Sequence, residues 1–176
     1  MACRYVIQLM KKIFLIVLVA LMAAASSCGK INDKEVPSYT VRIDLGSYAL
    51  WTTYGVSGVG DYRVFDRSRL VPANFPFTAN TYTGYGGVLL IMAFDALSGN
   101  YSPQAYDLAC PVENSQKIKI TIDEDKLEAV CPQCKSRYNV LNGGGGPLSG
   151  QALTSKYGLR KYHVYTSQMG GYTVAN

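Results

Sequence analysis

Three cysteines in the second half of this 176-residue chain, Cys110, Cys131 and Cys134, are the side chains best suited to chemistry. Cys131 and Cys134 stand in Cys131-Pro132-Gln133-Cys134, a spacing that lets two thiolates from one turn reach the same soft cation. Three converging thiolates with an outside fourth ligand suit Zn, or an altered two-iron cluster. Without a metal, two of the three can close a disulfide. Three is an odd number for a disulfide framework, so one thiol is left over for a metal, a transient partner or the core.

Other candidates carry less. His163 is the one histidine; it lies beside Tyr162 in an expected strand and reads as a packed or surface residue, because metal sites need convergent donors. Tyr82 and Tyr85, in the stretch Asn80 to Gly87, have faces that could stack on sugar rings, but tyrosines in hairpins more often pack across strands. Asp123-Glu124-Asp125 is acidic enough to suggest Ca²⁺, yet no EF-hand spacing follows, and an acidic turn is the plainer account. The chain has no phosphate loop, zincin helix or nucleophile-base pairing, hence no independent catalytic constellation beyond a redox role.

The arrangement around the cysteines resembles the Rieske iron-sulfur domain, over roughly residues 88 to 165. The residues that carry the likeness are Cys110-Pro111-Val112, the box Cys131 to Cys134 followed by Ser136 and Tyr138, and Gly146-Pro147. The resemblance implies a β-sandwich with two hairpin loops at one tip, Cys110 and Cys131 as ligands of one iron, Ser136 and Tyr138 hydrogen-bonded beside the sulfurs, and Gly146-Pro147 in a covering loop. It implies a [2Fe-2S] cluster and electron transfer to a redox or envelope partner. Two positions depart from the pattern: Val112 and Cys134 stand where the family has histidines. Val112 has no donor atom, so the residue types point to a degenerate or empty cluster site, with a non-redox structural or binding module using Zn or a disulfide as the alternative.

Composition and periodicity say what must position these residues. Apolar residues are 48% of the chain and charged ones 16%, with 17 Gly and 14 Tyr, which excludes disorder and collagen-like repeats. Val41, Ile43 and Leu45 alternate with Arg42 and Asp44, and Ile118, Ile120 and Ile122 alternate with polar residues, as in half-buried strands. Val88 to Phe94 is a continuous apolar run between Gly86-Gly87 and Ser98-Gly99-Asn100, which suits a fully buried strand. Residues 153–164 and 171–174 read as closing strands. No segment has the period of a long amphipathic helix. The expected class is therefore all-β, an antiparallel sandwich or small barrel forming a single domain over residues 39–176.

The N-terminal segment reads as an address. Lys11 and Lys12 precede the uncharged run Ile13 to Ala25, too short to span about 30 Å of hydrocarbon comfortably and suited to a signal peptide. Ala25-Ser26-Ser27-Cys28 is similar to a bacterial lipobox, which predicts a signal over residues 1–27, a diacylglyceryl lipid on Cys28, and a polar tether over 28–38. The mature chain is then expected outside the cytoplasm, lipid-anchored to a membrane of the bacterial cell envelope. Of 17 basic residues, Arg4, Lys11 and Lys12 leave with the signal, so 14 remain against 12 acidic ones, a net of +2. That balance offers no stripe for nucleic acid.

Overall fold

The alternation at Val41, Ile43 and Leu45 builds β1 (Val41–Ser47), which buries those three side chains and turns Arg42 and Asp44 to solvent. The computed structural model describes residues 11–12, 30–96, 98–142 and 144–176. After β1 come a short helix α1 (Tyr48–Tyr54), β2 (Tyr62–Phe65), a single 3-10 turn (Arg67–Arg69) and β3 (Tyr82–Thr83). The apolar run then forms β4 (Val88–Asp95), which turns into β5 (Asn100–Asp107). Three short strands, β6 (Thr121–Asp123), β7 (Glu128–Val130) and β8 (Arg137–Asn139), lead to β9 (Gly146–Ser149) and a one-turn helix α2 (Gln151–Ser155). The chain closes with β10 (Lys161–Thr166) and β11 (Gly170–Ala175).

Seven strands pair antiparallel in the order β2-β4-β5-β10-β11-β1-β3 and curl into a nearly closed barrel; β6-β7-β8-β9 form a separate small sheet. The all-β class holds. β4 explains how the two sheets share one body. It pairs with β5 from Val88 opposite Asp107 to Asp95 opposite Asn100. Because successive side chains leave a strand on opposite faces, Val88 and Leu90 join the core with Ile43, Leu45, Phe65 and Phe75. Leu89, Ile91 and Ala93 join a second core with Tyr106, Ala129, Tyr138 and two of the cysteines. A strand buried on both faces reads as an unbroken apolar run.

Three sequence expectations are corrected. The stretch expected as a free tether is docked from Ile31 onward: Asn32 makes a parallel bridge to Tyr157, Val36 is fully buried, and Arg160 Nε donates to Val36 O at 2.7 Å. Its backbone has found partners on the body, which a polar composition alone does not reveal. Residues 153–164 are a turn of helix followed by a strand, since Gly150 (φ +76°) and Lys156 (φ +57°) bend the chain on either side of buried Ala152. Of the isoleucine run, only Thr121–Asp123 is a strand; Ile118 and Ile120 instead pair back onto residues 108–110 through Cys110 N to Ile118 O (3.4 Å) and Ile120 N to Leu108 O (2.8 Å). The apolar run Ile13 to Ala25 and Cys28 lie outside the described residues.

Candidate metal centre

Cys110 leaves the end of β5 at the root of a hairpin. The bridge between Ala109 and Lys119 closes that hairpin, and Asn114 N donates back to Cys110 O at 2.8 Å. Cys131 and Cys134 sit in the tight turn between β7 and β8. There Lys135 N donates to Cys131 O at 3.1 Å and Cys131 N to Ser136 O at 3.0 Å, with Lys135 in the left-handed region at φ +59°. The two loops meet. The three sulfurs lie within 4.8 Å of one another, with Cys110 and Cys131 buried and Cys134 half-buried. Cys110 Sγ and Cys134 Sγ are 3.6 Å apart, and all three cysteines are free thiols.

Ser136 and Tyr138, expected beside the sulfurs, are there. Tyr138 Oη lies 3.4 Å from Cys110 Sγ, and Ser136 Oγ lies 3.2 Å from Cys134 Sγ. Ala152 N, in α2, donates to the same Ser136 oxygen at 3.1 Å, so that the hydroxyl oxygen accepts from both the amide and the Cys134 thiol. Gly146 and Pro147 take a different place from the expected covering loop. They begin β9, opposite Asn139 and Tyr138, because the backbone of β8 needs a ladder partner on that side. Val112 is half-buried and packs against the core that holds the thiols.

Two supporting residues were not legible as site residues. Gly150 carries α2 up to Ser136: a Cβ there would lie 2.8 Å from Ser136 Oγ and 2.9 Å from its Cα, in a φ region that side chains rarely adopt. Asp107 is fully buried at the end of β5. It accepts from Ala109 N (2.7 Å), Gly86 N (3.0 Å), Tyr85 N (3.0 Å) and the Tyr162 hydroxyl, and so fixes the residue before Cys110. Gly86 is required for this approach, since a Cβ there would fall 2.4 Å from Ala109 N. The only signal in the sequence is a carboxylate inside the otherwise uncharged Ala105 to Cys110. Burial raises the Asp107 carboxyl above the ordinary value, and the four donors work in the opposite sense.

The thiols are unequal. Burial pushes Cys131 up to about 12, and its thiol neighbours Cys110 and Cys134 add to the rise. Burial also opposes the Cys134 thiolate, but hydrogen bonding with the Ser136 side chain and backbone, then with Cys131 and Cys110, outweighs it and holds this thiol below its ordinary value. Burial, followed by the bond to Cys110, drives the Tyr138 hydroxyl far above its usual range, so it stays a neutral donor. One thiolate therefore forms first, and its charge resists the next. A cation between the sulfurs removes that penalty.

The remaining candidates lie elsewhere. His163 is exposed on β10 with its ring 5.8 Å from Tyr165. Tyr85 packs tilted against Tyr39 with ring centroids 5.2 Å apart and donates to Asn114 O, whereas Tyr82 is exposed on β3. Asp123 pairs with Arg137, which also holds Glu128, so the acidic turn is used within the small sheet. No known protein family, curated protein or solved structure matches this chain.

Proposed function

We propose that this domain holds a single soft divalent ion, zinc by donor type, on Cys110, Cys131 and Cys134, as a structural or binding module anchored in the bacterial cell envelope by a lipid on Cys28. The observation that carries this reading is the 3.6 Å between Cys110 Sγ and Cys134 Sγ. Thiolates that share one tetrahedral zinc, each about 2.3 Å from it, stand about 3.8 Å apart. In a Rieske-type arrangement Cys110 and Cys134 belong to different irons, and donors on different metals stand farther apart than donors sharing one. Half-buried Val112 offers the second iron nothing. Half-buried Cys134 leaves the solvent side of the ion open to a water or an outside donor as the fourth ligand.

The same short contact favours a second reading, a Cys110–Cys134 disulfide in an oxidising compartment, with Cys131 left reduced in the core. Both readings make the cysteines a staple between the two loops. Metal analysis of the reduced, purified chain separates them. The zinc reading expects one zinc per chain, lost on Cys131→Ser, and reactivity of three thiols with a disulfide reagent only after chelation. Full reduction with zinc offered and none retained favours the disulfide. Two irons per chain with visible absorption overturns both.

A further inference from the structure

Residues 31–36 strap the start of the described body to one particular face, and this has a consequence for how an anchored chain stands on its membrane. Ile31 lies over two glycines: a Cβ on Gly146 would be 3.1 Å from its Cδ1, and one on Gly158 2.8 Å from its Cγ2. Asn32 N donates to Lys156 O and Gly158 N to Asn32 O, both at 2.8 Å, and Arg160 Nη2 reaches Lys34 O at 3.2 Å. The strap also touches the hairpin of Cys110, where Asn114 Nδ2 is 3.5 Å from Glu35 O. Only Gly29 and Lys30 stand between Cys28 and Ile31, three residue steps that at full extension reach about 11 Å.

From these contacts we infer that the face around the strap, formed by Ile31, the outer side of β9 and α2, rests against lipid headgroups, so that the cysteine loops are held close to the membrane. This rests on the lipidation of Cys28 put forward above. The face suits an interface. Ile31, Leu148 and Leu153 are large apolar residues 46%, 42% and 51% exposed. Leu148 is two residues beyond Gly146 on β9, at the irregularity where β9 carries one residue more than β8. The opposite end of β10 is different: its hairpin to β11, with exposed Met169, lies roughly 25 Å along the strand from Gly158.

The test places a benzophenone amino acid at Leu153 or at Met169 in the full chain, irradiates intact membranes, and measures lipid adducts by mass spectrometry. The expected result is several-fold more adduct from Leu153 than from Met169. Equal yields, in a chain that Cys28→Ala releases from the membrane, overturn the orientation and leave the anchor standing. A Cys28→Ala chain that stays with the membrane overturns the anchor itself, and the short-tether argument with it.

Discussion

The barrel core and the core beneath the small sheet lie on opposite faces of strand β4, yet the two regions are held together by different means. Inside the barrel, long strands of seven and eight residues bury an aliphatic core, and Phe75 caps it with rings of Tyr54, Phe65 and Phe77 at 5.2, 5.2 and 4.8 Å. The small sheet has strands of three or four residues, too short to bury much on their own. Its core is completed by Tyr138 and by the thiols themselves, and its outer side by Arg137 bridging Asp123 and Glu128. The difference teaches where a metal matters. The barrel has a large apolar core of its own, whereas the small sheet and its two loops gain from any cross-link at the sulfurs.

The largest effect that tests this contrast is Phe75→Ala, which removes the cap of the barrel core. It is expected to cost about 3–5 kcal/mol of global stability in chemical unfolding. The loss should be the same with and without zinc. A zinc-dependent loss would mean that the two regions do not separate.

A middle-sized effect comes from Asp66, the buried carboxylate at the seam. Burial opposes its charge, but Lys119, Ser68 and Arg69 hold it at about 2, well below the ordinary value. Lys119 belongs to the hairpin of Cys110, so this pair ties that loop to the barrel corner. Because the folded value lies below the unfolded one of about 3.9, the pair contributes fully above about pH 4 and loses its contribution as pH falls toward 2, on the order of 1–2 kcal/mol. Asp66→Asn should lower stability at neutral pH and flatten the acid limb of the stability curve. An unchanged acid limb would show that Asp66 is not the group that titrates there.

How much of this was readable beforehand depends on where the information lies. β1 and β4 were legible because their side-chain patterns follow directly from one-sided and two-sided burial. α1 was not: Tyr48-Ala-Leu-Trp-Thr-Thr-Tyr54 is rich in aromatic and β-branched residues, and the helix is held by the Ser47 cap and by Trp51 packing 4.4 Å from Tyr172. The meeting of Cys110 with Cys131 and Cys134 was expected through the family likeness, as was the company of Ser136 and Tyr138. The roles of Gly150 and Asp107 depend on close approaches between segments distant in sequence, which no local pattern encodes. Docking of residues 31–38 failed to show for the same reason, since its partners are backbone groups of Lys156 and Gly158 and the side chain of Arg160, all distant in sequence.

The smallest effect is Arg137→Gln. Its ion pairs face solvent and are screened, so global stability should barely move. Hydrogen exchange of the β6–β8 amides should nevertheless speed up, and more in the zinc-free chain than in the zinc-loaded one. Equal acceleration in both states would remove the proposed link between the sulfurs and the small sheet.

X-ray absorption at the zinc edge of the loaded, reduced chain tests the central claim most directly. The account predicts one zinc with three sulfurs at about 2.3 Å and one lighter oxygen or nitrogen donor. A first shell without sulfur, or fewer than three sulfurs on the metal, would contradict it.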